Sequence, residues 1–400
     1  MMRRSFLMLL IALATVPLAH AAGAIEPAES KALLRIASKL SGLPVRRAVP
    51  IVNERASTYR QRRITTLYRH YPPAAQAYDE ALYSALGLTS GRGVLARTLA
   101  AGQTRPALYD PQTRKLYVPR GAVPRTALLQ ELVQALQDQS FDLRRTGTLS
   151  GSRDASFAAS AATIGHASLV SALLVPRTSA SHGAPALTRF LALEGGFPST
   201  VGERFAVRLR NLGGNKAVFG ALRRFPETTE QIFHVDKFLE RERALPIALP
   251  VEAAGLTLAG DNTFGELDVR ALLATFDVPR LDHVGAGWGG GRTAIYRSGS
   301  REAAVVALDW DEELDALEWH EAVHAYVNEA FDAETPGWPA TTACAAAACW
   351  SLDGHTIAFE RSGERTALVL GPDVPTAARL ARTILGLQSE TQNSKSLLKG

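Results

Sequence analysis

The stretch LLQELVQALQDQSFDL, at residues 128–143, decides how the rest of the chain is interpreted. Its apolar residues recur at steps of three and four, which predicts an amphipathic helix over about residues 126–140. The apolar face of this helix would consist of Leu128, Leu129, Leu132, Ala135 and Leu136. Just upstream, ALYDPQTRKLYVP at residues 107–119 alternates around an Asp-Pro turn, which predicts a β-hairpin.

Outward from this segment the pattern alternates helices with further hairpins. Helical spacing of apolar residues is found at residues 28–41, 74–100, 154–174, 311–331 and 374–387, and in a stretch that ends near residue 223. Alternation predicts hairpins at residues 292–309 and 354–371, and residues 244–250 form a Pro-bounded extended segment. The expected fold class is therefore α+β, richer in helix than in strand.

The composition is that of a folded protein, with 46% hydrophobic residues and a formal net charge of +5. This apolar content excludes intrinsic disorder for most of the chain. The positive excess comes largely from the arginines of residues 46–69, among which Leu, Ile and Tyr fall at helical spacing. We interpret this stretch as the solvated face of a helix and expect no nucleic-acid partner.

The amino terminus has the pattern of an export signal. Two arginines precede an apolar run at residues 6–18, which is short for a membrane span, and Ala-His-Ala follows at residues 19–21. We expect cleavage after Ala21 and a periplasmic or extracellular protein, with an uncleaved anchor as the alternative. No later segment is apolar for long enough to cross a bilayer. In an oxidising compartment, Cys344 and Cys349 are expected to form a small-loop disulfide.

The hairpin YDPQTRKLYVP and the helix LLQELVQALQDQSFDL together resemble a family of secreted bacterial gluzincin-like zinc metallopeptidases, in which the helix reads HELxHALQDQxFDL. Later segments resemble the family in the same order. They are DASFAASAATIGHASLV (154–170), FPSTVGERFAVRLRNLGG (197–214), FPETTEQIFHVDKFL (225–239), FGELDVRALL (264–273), AGWGGGR (286–292) and WDEELDALEW (310–319). The resemblance covers roughly residues 100–385. It implies a mostly helical zincin-like fold, with a small β-sheet and an edge strand beside the active-site helix.

The departures from the family pattern fall on the metal ligands. In the family, two histidines on one helical turn and a glutamate from a later helix bind zinc, and the glutamate after the first histidine is the general base. Here the three ligand positions are Gln130, Gln134 and Ile164, and only the base is kept, as Glu131. Amide oxygens are poor zinc ligands and isoleucine offers none, so no cofactor is expected. His166, two positions from Ile164, is conceivable as a displaced ligand.

A literal HExxH stands elsewhere, at His320, Glu321 and His324 on a predicted helix. Two histidines at this spacing can bind one zinc ion, with the glutamate as base. The residues downstream that offer a third ligand are Glu329, Asp332, Asp353 and His355. This helix corresponds to a late segment of the family rather than to its catalytic helix, and it lacks a hairpin just upstream.

These observations lead to three hypotheses. The first is an exported, catalytically inactive peptidase-like protein with a binding or structural role in the cell envelope. Its cleft would hold a peptide, a partner protein or a cell-wall fragment, with residues 116–119 as an edge strand that pairs with it. The second is an active zinc peptidase that uses His320, Glu321 and His324. The third is a structural envelope protein without a cleft ligand.

The expected organisation follows from the same elements. Residues 1–21 would be the signal peptide, and residues 22–145 an N-terminal lobe with the hairpin and the degenerate active-site helix. Residues 146–390 would form a C-terminal helical lobe with hairpins, and residues 391–400 a flexible tail. Within the C-terminal lobe, Glu194 is interpreted as a helix-end carboxylate.

Overall fold

The computed structural model describes residues 25–102, 105–149, 151–172, 184–333, 348–352 and 355–387, and within these ranges the fold is mixed α+β, as expected. The expected signal peptide at residues 1–21 and the expected tail at residues 391–400 lie outside the described residues. Cys344 does too, so its disulfide with Cys349 stays a prediction.

The N-terminal part contains six helices and a small sheet among the residues described. Its elements are α1 (Pro27–Ser41), β1 (Ile51–Glu54), α2 (Ala56–His70), α3 (Pro73–Ala85), α4 (Val94–Ala101), β2 (Leu108–Asp110), β3 (Lys115–Pro119), α5 (Arg125–Phe141) and, after a 3₁₀ turn at Leu143–Leu149, α6 (Arg153–Ala172). The single helix expected over residues 74–100 is wrong. Gly87, Gly91 and Gly93 all adopt positive φ there, a conformation that ends a helix, so the segment forms α3 and α4.

The small sheet has the strand order β1-β3-β2. The expected hairpin is present, with Tyr109 of β2 opposite Leu116 of β3. The expected free edge at residues 116–119 is wrong, because Ile51 of β1 pairs in parallel with Leu116 on the other side. Residues 51–54, which were interpreted as part of a helix face, supply this strand. Only the segment after them forms a basic helix, α2.

The C-terminal part is a seven-stranded sheet with flanking helices. Its elements are α7 (Ala186–Arg223, kinked at Gly213 and Gly214), α8 (Glu230–Phe233), α9 (Val235–Glu240), β4 (Glu252–Ala253), β5 (Leu256–Thr263), α10 (Glu266–Thr275), α11 (Leu281–Ala286), β6 (Trp288–Ser298), β7 (Arg301–Trp310), α12 (Glu313–Phe331), β8 (Ala348–Leu352), β9 (His355–Ser362), β10 (Arg365–Gly371) and α13 (Val374–Ile384). Both expected hairpins, β6–β7 and β9–β10, are confirmed. They join in one antiparallel sheet of order β4-β5-β6-β7-β10-β9-β8.

The largest hydrophobic cluster crosses the division expected at residue 145. Leu82 and Tyr83 of α3 share it with Val306 of β7 and Leu368 of β10. The hydroxyl of Tyr78 in α3 also donates a hydrogen bond to Oγ1 of Thr293 in β6, at 2.9 Å. The division into two lobes remains an expectation, but this packing ties α3 to the C-terminal sheet.

Helices α6 and α7 cross at very close range. A Cβ on Gly165 of α6 would lie 2.2 Å from the backbone of Gly202 in α7, and a Cβ on Gly202 would lie 2.4 Å from the carbonyl oxygen of Ala161. Two glycines facing each other allow the backbones to approach in this way. This contact fixes the relative placement of the two helices that, with α5, enclose the candidate site. No helix in the described ranges is both long enough and apolar enough to span a membrane.

Candidate functional site

The structure brings together the four residues that the family resemblance places at the ligand and base positions. Gln130, Glu131 and Gln134 of α5 and Ile164 of α6 all line one cavity of about 200 Å³. Spacing of one turn places Gln130 and Gln134 on the same face of α5, while the leucines of that helix pack away from it into a hydrophobic cluster with α1 and β3. The cavity is therefore lined by side chains from two neighbouring helices, α5 and α6.

Glu131 is buried and serves as a hydrogen-bond acceptor for the small sheet. The backbone N–H of Tyr109, in the edge strand β2, donates to Oε2 of Glu131 at 2.7 Å. Burial raises the pKa of Glu131, and the charge of Arg105 and hydrogen bonds from Tyr109 and Gln134 oppose that rise. A general base must reach the proton it abstracts, whereas this carboxylate satisfies a backbone group of the chain itself.

The ligand positions around Glu131 do not fit zinc. The side-chain amide of Gln130 donates to Oγ of Ser171 at 3.0 Å, and Ile164 has no donor atom. Zinc in proteins takes nitrogen, sulfur or carboxylate ligands, and a set of two amides and an alkyl group supplies none of these. The chemistry of the residues present therefore disagrees with the metal that the family resemblance implies.

The surroundings of His166 are those of a packed structural residue and not those of a metal ligand. It does not line the cavity; its Nδ1 lies 2.9 Å from Nε2 of Gln137, and its ring meets that of Phe219 edge-on. Burial lowers the pKa of His166 to about 4, so the imidazole is neutral near pH 7. The hypothesis of a displaced third ligand at this position gains no support from these contacts.

A larger cavity, of about 460 Å³, lies next to the one beside Glu131. Gly195 of α7 lines both cavities. α6 also lines both, with Ser156 and Ser160 in the larger cavity and Ile164 and Ser168 in the smaller. These four positions span roughly 18 Å of helix at 1.5 Å per residue, and we call the two neighbouring cavities the groove.

A buried cluster of charged side chains around Arg153 lines part of the larger cavity. Its guanidinium bonds Asp79 at 3.0 Å, Asp268 at 3.3 Å, and also Glu194. The hydroxyl of Tyr83 accepts a further bond from Arg153 at 2.6 Å. Burial raises the pKa of Glu194 and of Asp268, and the charge of Arg153 opposes that rise.

This cluster was not predicted from the sequence. Glu194 was interpreted as a helix-end carboxylate, and Arg153 was not singled out. The partners of Arg153 come from α3, α7 and α10, between 41 and 115 residues away along the chain. No local pattern could have joined them.

The HExxH segment lies on α12, away from the groove. Its histidines face aromatic rings of the sheet, with His320 against Phe359 and His324 against Trp350, each at 5.0 Å between ring centroids. Glu321 is exposed and lines a separate pocket of about 80 Å³ beside α11.

A third ligand for these histidines is not found among the described side chains. The one group there of three His, Cys, Asp or Glu residues at metal-ligand spacing is elsewhere, so neither Glu329 nor Asp332 completes a set with them. Asp353 lies outside the described residues, and the side chain of His355 is not described.

The acidic group at ligand spacing consists of Glu230, Glu242 and Asp311. The ammonium of Lys237 lies 2.6, 2.8 and 2.7 Å from these three carboxylates, respectively. A cation of the chain thus occupies the centre of the triad. We interpret it as an ion cluster that fixes α9 to the end of β7 and not as a metal site.

Comparison with known proteins gives one partial match. A family model described as a domain of unknown function (DUF8575) matches residues 255–381, from β5 into α13. Neither a curated protein nor a solved structure matches the chain. The matched part contains His320 and His324 and none of the residues around Glu131.

Proposed function

We propose that this chain is an exported, non-catalytic peptidase-like protein that binds an extended peptide in the groove between α5, α6 and α7. The proposal depends on one observation. Gln130, Gln134 and Ile164 surround a cavity in which Glu131 is already bonded to the backbone of Tyr109. The cavity offers space for a ligand, while its lining contains no histidine or cysteine that could bind a metal.

The size of the groove favours an extended ligand. At about 3.3 Å per residue, roughly 18 Å along α6 accommodates about five residues of an extended chain. The partly exposed side chain of Ser160 lines this path and carries a hydroxyl group. The two cavities also weigh against the third hypothesis, a structural protein whose groove is filled by side chains.

Pairing of the ligand with the small sheet is not part of this proposal. β3 is enclosed between two strands, and the outward N–H of Tyr109 in β2 is used by Glu131. The peptide would therefore contact the helices α6 and α7 rather than extend the sheet. This differs from the binding mode that the sequence suggested.

Gly195 offers a direct test, because it lies where the two cavities meet. A Cβ at Gly195 would have no atom within 4 Å, so a larger side chain can be placed at this lining position, and Gly195→Leu is expected to fill part of the groove. Gly196 also has open space around its Cβ position but lines neither cavity, so Gly196→Leu is the matched control.

Fluorescein-labelled peptides from a casein digest serve as probes, with binding followed by fluorescence anisotropy. The expected result is binding by the wild type, a loss of at least about tenfold in affinity for Gly195→Leu, and unchanged affinity for Gly196→Leu (tenfold is about 1.4 kcal/mol). Equal affinities of the two variants, or no binding by the wild type, would contradict the proposal. So would hydrolysis of these peptides that disappears in Glu131→Gln.

An active zinc peptidase at His320, Glu321 and His324 is the second candidate. The observation in its favour is the convergence of the two Nε2 atoms, 3.1 Å apart. The exposed position of Glu321, in a pocket lined by Val278 and Arg280, weighs against it. Hydrolysis of casein that is lost in both His320→Ala and Glu321→Gln would favour this candidate over the first.

A further inference from the structure

His320 and His324 form a close pair of imidazoles on one face of α12. Their Nε2 atoms are 3.1 Å apart, and their rings are nearly parallel, with an interplanar angle of 24°. Both side chains are partly buried, and Phe359 and Trp350 pack against their rings. The aromatic contacts restrict both rings, so the convergence of the two nitrogens is built into the packing.

Each imidazole of the pair has a ring nitrogen that can bind a metal ion. A neutral imidazole can present its unprotonated Nε2 to a metal ion. Arg361, the cation near His320, is paired with Glu313 at 2.7 Å, which offsets its repulsion of a bound cation.

The separation of the nitrogens matches a chelate. With metal–nitrogen bonds of about 2.0–2.1 Å, two nitrogens 3.1 Å apart subtend an angle of about 98° at the metal. That angle lies between the values of tetragonal and tetrahedral geometry, which Cu²⁺, Ni²⁺ and Zn²⁺ adopt with imidazole ligands.

We propose that His320 and His324 form a bidentate, non-catalytic site for a divalent transition-metal ion, to which no other side chain of the described residues adds a ligand. Glu321 does not share the space of the two nitrogens, since it is exposed beside α11. The site is independent of the groove along α6, and it lies within the part of the chain that the DUF8575 model matches.

The test is titration of the untagged chain with Cu²⁺, Ni²⁺ and Zn²⁺, each alone, by isothermal titration calorimetry. We expect one equivalent to bind, with Cu²⁺ tightest, and electron paramagnetic resonance of the Cu²⁺ form to show two coordinated nitrogens. His320→Ala and His324→Ala should each lower the affinity at least tenfold. His283→Ala, which removes an exposed histidine of α11, is the matched control and should leave it unchanged.

His320→Asn and His324→Asn are measured as well, in case the alanine variants misfold. Urea denaturation checks that each variant is folded. The proposal is overturned if the wild type binds none of the three ions, or if folded variants at both positions keep the wild-type affinity. It is also overturned, in its non-catalytic part, if zinc induces peptide hydrolysis that Glu321→Gln abolishes. None of these results affects the comparison of peptide binding by the wild type, Gly195→Leu and Gly196→Leu. The metal-site proposal and the peptide-binding proposal can therefore be refuted independently.

Discussion

The backbone N–H of Tyr109 donates a hydrogen bond of 2.7 Å to the buried carboxylate of Glu131. Tyr109 belongs to an edge strand, and the side of its backbone that faces away from β3 would otherwise have no partner in the sheet. The residue that the family resemblance places at the position of the base thus completes the hydrogen bonding of the sheet here. A structural role explains why Glu131 is present although the residues around it cannot hold zinc.

Replacement of Glu131 should therefore affect stability. Glu131→Ala leaves the Tyr109 N–H buried and unpaired, which should lower the free energy of unfolding by about 1–3 kcal/mol. Glu131→Gln keeps an oxygen that can accept this bond and should lose less. Urea denaturation at pH 7 measures both, and an unchanged midpoint for Glu131→Ala would contradict the structural role.

Arg153 should be far more important for stability than an exposed arginine. Arg153→Met leaves Asp79, Glu194 and Asp268 buried without their cation, which should cost about 3–5 kcal/mol. The loss should be smaller at pH 5 than at pH 8, because burial raises the pKa of Glu194 and of Asp268, and these two carboxyl groups take up protons more readily at the lower pH.

The matched control for Arg153 is Arg189→Met. Arg189 pairs with Asp277 at 2.7 Å, but the Asp277 side chain is 78% exposed. Its removal should cost at most about 1 kcal/mol. Equal losses for the two methionine variants in urea denaturation would show that the cluster around Arg153 contributes no more than a surface pair.

His166 should make the protein less stable in acid. Burial lowers its pKa from 6.5 to about 4, so the unfolded chain binds a proton at this residue before the folded chain does. The contribution of the neutral imidazole to the free energy of unfolding is present in full above pH 6.5. It decreases as the pH drops towards 4, by about 3 kcal/mol in all.

The measurement is the free energy of unfolding at pH 7 and at pH 4.5, for the wild type and for His166→Asn. The variant should lose less stability between these pH values than the wild type does. His283→Asn, at an exposed position, should behave like the wild type. Parallel pH profiles of wild type and His166→Asn would refute the prediction.

The crossing of α6 and α7 should tolerate no side chain at Gly165. Gly165→Ala places a Cβ 2.2 Å from the backbone of Gly202, so the helices must separate, at a cost of about 1–3 kcal/mol. Gly220→Ala, at a helical position with open space around the added Cβ, should instead stabilise α7 by about 0.5–1 kcal/mol. Thermal unfolding distinguishes the two, and a gain in melting temperature for Gly165→Ala would contradict the close approach.

Local sequence patterns predicted the elements that depend on periodicity. Leu128, Leu132 and Leu136 indicated α5, and the alternation at residues 292–309 and 354–371 indicated both C-terminal hairpins. These predictions succeed because the period of apolar residues reflects which face of a helix or strand is buried. The helix expected at residues 74–100 failed where three glycines with positive φ interrupt an otherwise helical pattern.

The candidate site was only partly predictable. The placement of Gln130 and Gln134 on one face follows from their spacing, and the nearness of Ile164 was implied by the family resemblance alone. That Glu131 is used by Tyr109 could not be predicted, since a carboxylate's partner depends on which strand lies beside the helix.

By itself, then, the sequence determined α5, the three hairpins, the mixed α+β class and the lack of histidine on α5. Only the tertiary structure decided that β1 and β2 enclose β3, that Arg153 pairs with three carboxylates and that Gly195 lines two cavities. The physical reason is the range of the interactions. Periodicity and side-chain chemistry are local properties, whereas strand pairing, burial of charge and the shape of a groove arise from contacts between distant segments.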